Sequence, residues 1–136
     1  MTKSFLKVAA LSLLMLPTSV LLKAQNSPYS SYLFAFFSNN SPRGEQIRYA
    51  VSDDGFDYTS LNMGRPVVSS DTIAIKKSIR DPHIMRAEDG KTFYMVLTDM
   101  RSSQGWQSND GLILMKSTDL LHWEHTAIDF PTRFPN

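Results

Sequence analysis

The sequence of 136 residues predicts an all-β fold in which one unit of strands and turns occurs twice. Short apolar stretches alternate in the manner of half-buried strands, and no stretch after the first 24 residues keeps a helical period. The two units also keep a fixed spacing, because Ile47 to Leu112 and Ser52 to Ser117 are each 65 positions apart. Strand units that end in a Ser-x-Asp turn and an aromatic residue are typical of β-propeller blades. The alternative is a pair of unrelated hairpins in a small sandwich.

Residues 1–24 are expected to be a secretory signal peptide outside the fold. Lys3 and Lys7 precede an apolar run from Val8 to Leu22, and Ala24 supplies a small residue at the cleavage position. This run is short for a membrane span, although an uncleaved anchor is the alternative. The product is therefore expected to be exported, periplasmic or secreted, with no membrane span after cleavage.

The charge balance limits the classes of binding partner, and the cysteine content limits how the fold can be stabilised. The predicted signal peptide carries three of the 14 basic residues and none of the 13 acidic ones, so the remainder is slightly acidic. Nothing in this balance indicates nucleic acid or a membrane surface as a partner. The chain has no cysteine, so an exported product must be stabilised by core packing without disulfides.

The first unit is expected at about residues 30–75. An apolar strand leads through a polar loop to an alternating strand, and a tight turn then precedes an aromatic residue. In order, these segments are Tyr32–Phe37, Ser38–Glu45, Ile47–Ser52, Asp53–Gly55 and Tyr58.

The second unit is expected at about residues 78–130. It begins with an innermost strand, a hairpin turn and a returning strand, at Asp81–Ala87, Glu88–Lys91 and Thr92–Thr98. A polar loop and a third strand follow, at Asp99–Asp110 and Leu112–Ser117. The turn Thr118–Asp119 and the aromatic residue Trp123 end the unit. Tyr58 and Trp123 occupy equivalent positions. Both are expected to pack in the core between blades and not to bind a ligand.

Asp81 stands out because it lies between Arg80 and Pro82 at the mouth of a buried strand. A carboxylate there is costly unless a partner satisfies it or the function uses it. Antiparallel strands would bring the loop Asp99–Asp110 to the same end as Asp81. In a propeller, innermost strands begin at the axis, where the blades converge on one pocket. The alternative is an aspartate that only caps a turn before proline.

Three motifs, RDPHI at 80–84, DGKTFYM at 89–95 and KSTDLLHWE at 116–124, together resemble the first catalytic blade of glycoside hydrolase family 43. That family consists of five-bladed β-propellers that act on arabinose- and xylose-containing polysaccharides. The resemblance implies that residues 25–136 carry about two of the five blades. The stretch Tyr32–Val68 then resembles the extra preceding blade of some bacterial subfamilies.

The same resemblance implies that Asp81 is the general base of an inverting glycosidase. Inversion needs two carboxyl groups that are far enough apart to admit a water molecule. The family's general acid is a glutamate on a later blade, preceded by an aspartate that tunes its pKa, and neither motif follows here. None of Glu45, Glu88 and Glu124 is placed as an acid. The chain is therefore expected to be an amino-terminal fragment that is inactive alone.

Other residues are candidates for binding a carbohydrate. Trp106 is expected to stack on a sugar ring, or else to fold back over the blade edge. Asp99 and Arg101 are candidates for hydrogen bonds to sugar hydroxyls, although a solvated loop is the alternative. Arg80 either binds substrate or supports a loop. His83 either lines the central channel or is a satisfied core histidine.

No spacing of His, Asp and Glu resembles a dedicated metal site, and no cofactor is expected to be required. A structural calcium ion in the full-length propeller is compatible with the family resemblance, although no motif here supports it. The expected partners are a carbohydrate substrate and, through open blade faces, further copies of the chain.

Two further interpretations stay open. One is a non-catalytic exported carbohydrate-binding or scaffold module. The other is a propeller glycosidase of family 32, the invertase and levanase type, in which an Arg-Asp-Pro motif stabilises the transition state. That family needs an upstream Asn-Asp-Pro-like motif, and the nearest match, Asn39–Pro42, contains no aspartate.

Overall fold

The computed structural model describes residues 30–135, so the predicted signal peptide lies outside the described residues. The regular elements there are β1 (Tyr32–Phe36), β2 (Arg48–Ser52), β3 (Thr59–Ser60), α1 (Ser70–Ile73), β4 (Ile79–Arg86), β5 (Phe93–Asp99), β6 (Gly111–Ser117), β7 (Glu124–Asp129) and α2 (Phe130–Arg133). Both α-helices have four residues. The all-β prediction is therefore confirmed. No helix in residues 30–135 is both long and apolar enough to cross a membrane.

The strands form two antiparallel sheets, each with its strands in chain order. The first sheet has the order β1-β2-β3 and the second has the order β4-β5-β6-β7. The registers correspond, since Tyr32 pairs with Ser52 in the first sheet and Phe93 pairs with Ser117 in the second. Each serine begins a Ser-x-Asp turn, so the repeat seen in the sequence is also a repeat in space. The assignment of the two sheets to propeller blades stays a prediction.

The Ser-x-Asp turns close by the same hydrogen bonds in both sheets. The Ser52 hydroxyl accepts the Gly55 amide at 2.8 Å, and the Ser117 hydroxyl accepts the Leu120 amide at 2.9 Å. The two aspartates accept further amides: Asp54 from Phe56 and Asp57, and Asp119 from Leu121 and His122. These bonds, the Asp57 amide first, lower the pKa of Asp54 to about 2.

One hydrophobic core joins the two sheets. Alternation along β6 buries Ile113 and Met115 on one face and leaves Leu114 half exposed on the other. The buried apolar residues of the shared core are Ala35, Ile47, Tyr49, Val68, Ala74, Ile79, Met95, Leu97, Ile113 and Met115. Burial here raises the pKa of Tyr49 to about 12, and the neighbouring Trp123 side chain offsets part of that effect.

The two equivalent aromatic residues have different environments. Trp123 packs against the shared core and donates its indole N–H to the Leu120 carbonyl at 3.1 Å. Tyr58 is 41% exposed and packs on Phe34, with ring centroids 5.6 Å apart. The core prediction was therefore wrong for Tyr58. Its ring lies against Phe34, which is itself 52% exposed, and so it stays outside the shared core.

Candidate active site

The backbone is irregular at Asp81, near the start of β4. Arg80 pairs with Thr98 and His83 pairs with Val96, so the β4–β5 ladder contains a bulge between them. Asp81 has a φ of +49°, in the left-handed region that residues other than glycine seldom adopt. Bulges redirect side chains and are common beside active sites. The bulge therefore takes the Asp81 side chain out of the regular alternation of the strand.

The Asp81 carboxylate is exposed and has one hydrogen-bond partner in the described part of the chain. Thr98 Oγ1 donates to Asp81 Oδ2 at 3.0 Å, while Oδ1 accepts no hydrogen bond from residues 30–135. Because Ile79 pairs with Asp99, the loop after β5 lies at the Asp81 end, as the sequence predicted. The carboxylate thus has one oxygen held by the protein and the other open to a water molecule.

Arg80 is buried beside this exposed aspartate, with 6% of its surface exposed. Its Nη1 donates to Glu45 Oε1 at 3.2 Å and to Asn40 Oδ1 at 2.9 Å. These contacts place Arg80 in support of the loop before β2, which was one of the two alternatives left open by the sequence.

Trp106 lies in the predicted loop and contacts Arg80. The guanidinium carbon lies 5.2 Å from the centre of the Trp106 ring and 4.6 Å from the centre of the Phe37 ring. Trp106 is nevertheless 70% exposed. One part of the indole therefore lies against the buried guanidinium of Arg80, the residue before Asp81, and the rest is open to solvent.

Glu45 is the residue whose role the sequence did not reveal. It is 1% exposed, and its Oε1 accepts the Ser102 amide at 2.9 Å in addition to Arg80. Burial by itself would raise the pKa of Glu45, but the hydrogen bonds from Ser102 and Ser78 and the charge of Arg80 together hold that pKa below its usual value. The one available sequence signal was that Ser38–Glu45 and Asp99–Asp110 are equivalent loops of the repeat, and so lie at the same end.

Asp99 and Arg101 hold the segment that precedes β4. Asp99 is 1% exposed, and its two oxygens accept the amides of Ile75 at 2.7 Å and Lys76 at 2.8 Å. Arg101 Nε donates to Ser78 Oγ at 3.4 Å and is half-buried. In this arrangement Asp99 fixes the segment between α1 and β4, and its carboxylate presents no surface to a sugar.

His83 lies on the open face of the second sheet. It is exposed and borders a shallow groove of about 190 Å³ with Met85, Tyr94, Val96 and Leu114. The placement of His83 in a central channel stays a prediction, because it depends on units that are not among the described residues.

No described glutamate is placed to act as a general acid opposite Asp81. Glu88 follows the far end of β4, about 20 Å away at the rise of an extended strand. Glu124 pairs with Lys116 at that same far end, and Glu45 is buried in its ion pair. Inverting glycosidases need a separation of about 6.5–9.5 Å between their two carboxyl groups.

No group of three or more His, Asp and Glu side chains within residues 30–135 is arranged to hold a metal ion.

Comparison with known proteins gives a match over most of the chain. Residues 27–130 match the protein family described as "Probable glycosyl hydrolase domain". An α-L-arabinofuranosidase of Bifidobacterium longum subsp. longum is 29% identical over 115 residues, which cover 79% of this chain. The chain spans 11% of that relative's length. No solved structure matches the chain.

Proposed function

We propose that this chain, which belongs to the family of probable glycosyl hydrolase domains related to glycoside hydrolase family 43, forms part of an inverting glycosidase with a five-bladed β-propeller fold. Its substrates would be arabinose- or xylose-containing polysaccharides or oligosaccharides. The family supports the reaction class, and the arabinofuranosidase relative favours arabinose. The observation that carries the proposal is the exposed Asp81 carboxylate on its bulge, with one oxygen held by Thr98.

In the proposed reaction, Asp81 Oδ1 accepts a proton from a water molecule as that water attacks the anomeric carbon. The glycosidic bond breaks on the opposite face of the sugar ring, and a carboxylic acid protonates the leaving oxygen. Thr98 orients the base by holding Oδ2. One net water is consumed, and the configuration at the anomeric carbon is inverted.

The acid in this reaction is proposed to come from outside residues 30–135, because Glu88 and Glu124 lie at the far end of the strands. Glu45 is held in a buried ion pair with a lowered pKa, which does not suit a general acid. We therefore expect the chain of 136 residues to show no turnover of aryl arabinosides, while a longer protein that contains it is active. Turnover of the isolated chain above the no-enzyme rate would contradict this assignment of roles.

Trp106 would supply binding energy near the base. Its exposed indole can stack on the apolar face of a sugar ring, and it lies against the guanidinium of the residue before Asp81. Stacking on an indole does not require a charged ligand, so it suits neutral pentose units.

The proposal is tested by Asp81→Asn in the complete enzyme. The amide is nearly isosteric but cannot take a proton from water, so we expect kcat to fall by about 10²–10⁴-fold with sugar binding largely retained. The measurements are kcat and KM on aryl α-L-arabinofuranosides and β-D-xylosides, with product configuration followed by NMR.

The matched control is Asp57→Asn, at an exposed aspartate in the turn between β2 and β3. Near-normal turnover of Asp81→Asn would remove Asp81 from the mechanism. A complete protein that binds the sugars but never hydrolyses them would instead indicate the non-catalytic module.

A further inference from the structure

The loop that carries Trp106 is fastened to the first sheet by a buried carboxylate. We propose that Glu45 is a positioning residue that, together with Arg80, holds the Trp106 indole as a preformed stacking platform for neutral pentose oligosaccharides. The identity of the ligand rests on the proposed function, whereas the positioning of Trp106 does not.

The first support is that Glu45 connects two loops that are distant in sequence. Glu45 lies before β2, and its Oε1 accepts the amide of Ser102, which lies between β5 and β6. The Ser102 hydroxyl in turn donates to the Asn40 carbonyl at 3.2 Å. These two contacts tie the Trp106 loop to the first sheet.

The second support is the stacking of Arg80. Its guanidinium carbon lies 4.6 Å from the Phe37 ring centre and 5.2 Å from the Trp106 ring centre. A guanidinium is planar and stacks on aromatic faces, so its orientation restricts that of the indole. The Glu45 carboxylate fixes this guanidinium through Nη1 at 3.2 Å.

The loop is also closed at its base. Ser108 Oγ lies 2.9 Å from the Arg101 carbonyl oxygen and 2.7 Å from that of Gly105. Gly105 has a φ of +87°, a conformation that favours glycine. Internal bonds therefore shape the loop, and the Glu45–Arg80 pair fixes it against the rest of the protein.

The Glu45–Arg80 ion pair has a role besides any contribution to the stability of the fold. A buried ion pair is often no more stabilising than apolar residues of the same volume. Here its effect is to hold a large aromatic side chain, 70% exposed, against Arg80, the residue before the predicted base. Holding a binding side chain in place before the ligand arrives lowers the entropy cost of binding.

The positioning of Trp106 is tested by fluorescence on the full chain. The sequence contains two tryptophans, so subtracting the emission of a Trp106→Phe variant from that of its parent isolates Trp106. We expect Glu45→Ala to lower the anisotropy of this emission and to increase its quenching by acrylamide. Trp123 emission, which reports on the core, should stay unchanged.

Glu45→Gln is the second variant, since it keeps the side-chain volume and removes only the charge. Glu88→Gln makes the same exchange at an exposed glutamate of the far hairpin and is the matched control. If Glu45→Ala does not fold, the Trp106 anisotropy of Glu45→Gln tests the positioning role instead. Trp106 anisotropy equal to that of the Glu88→Gln control in a folded Glu45 variant overturns the positioning role.

The ligand is tested separately with arabinotriose and xylotriose by titration calorimetry on the complete protein, with and without the same substitutions. Trp106→Ala should abolish binding, and Glu45→Ala should weaken it by about 2- to 10-fold, the cost of ordering one side chain on binding. If the complete parent protein binds neither sugar, the proposed ligand class is wrong, while the anisotropy still decides whether Glu45 positions Trp106. If Glu45→Ala binds the sugars as tightly as the parent, the platform is not preformed by Glu45.

Discussion

At the residue scale, Asp81 combines an exposed charge with an uncommon backbone conformation. A φ of +49° costs a residue with a side chain about 1–3 kcal/mol, and such strain is concentrated at functional sites. The neighbouring Arg80 has the opposite character, since it is buried and its Nη1 donates to both Glu45 and Asn40. In the proposed function, Asp81 thus takes part in the reaction while the adjacent Arg80 supports the structure of the site.

Glu45 leads to a prediction about pH. Its pKa in the folded chain lies below the ordinary value of 4.5, because the hydrogen bonds from Ser102 and Ser78 and the charge of Arg80 outweigh burial. A depressed pKa means that the carboxylate stabilises the fold above the unfolded value and that this contribution is lost as the pH falls through the folded value. Above about pH 5 we expect Glu45→Gln to be less stable than the parent by about 1–3 kcal/mol.

That difference should shrink as the pH falls below 4.5, the ordinary value for a glutamate. The measurement is urea denaturation of both proteins from neutral to acid pH, with Glu88→Gln as the control that should follow the parent throughout. A difference between Glu45→Gln and the parent that stays constant down to pH values where Glu45 is protonated would show that its charge does not contribute.

At the element scale, the Ser-x-Asp turns are the most regular feature of the molecule. Each serine is buried at the end of a strand and accepts two amides of the following turn. In both turns the residue after the aspartate has a positive φ, which is 82° at Gly55 in the first sheet and 67° at Leu120 in the second. Leu120 in the second turn therefore carries backbone strain that the glycine in the first turn avoids.

Ser117→Ala is expected to destabilise the second sheet. The substitution leaves the Asp119 and Leu120 amides without their acceptor, and losing such a buried acceptor costs about 1–3 kcal/mol. Urea denaturation of the variant against Ser103→Ala, an exposed loop serine, measures the effect. Equal stability of the two variants would show that the turn hydrogen bonds are replaced by water without loss.

At the scale of the whole molecule, one face of the second sheet is apolar and uncovered. Met85 is 54% exposed, and Tyr94 and Leu114 are each 44% exposed, whereas the opposite face of β5 and β6 is buried at Met95, Ile113 and Met115. In the proposed propeller the following blade would cover this face. We propose that, in the chain of 136 residues, a second copy covers it.

The chain is accordingly expected to self-associate, and Leu114→Glu should shift it towards the monomer because a charge cannot be buried in an apolar contact without a partner. Light scattering after gel filtration measures the mass. Leu121→Glu is the matched control, since Leu121 is 67% exposed in the turn and away from this face. A parent chain that is monomeric at all concentrations would contradict the proposal.

The sequence by itself determined the local architecture. The period-two alternation and the Ser-x-Asp turns specify strands, pairing order and the repeat, because strand faces and turn hydrogen bonds depend on residues that are close in the chain. The strand limits differ from those observed by one or two residues, as with β4, which begins at Ile79 and not at Asp81. Strand direction alone predicted that Asp81 and the Trp106 loop lie at the same end of the sheet.

Only the tertiary structure decided which side chains the site brings together. Glu45 and Arg80 are 35 positions apart, and Glu45 and Ser102 are 57 apart. These contacts depend on how the two sheets pack, which the alternation of either sheet does not encode. The same reason applies to the burial of Asp99 under the amides of Ile75 and Lys76, and to the exposure of Tyr58 where Trp123 is covered.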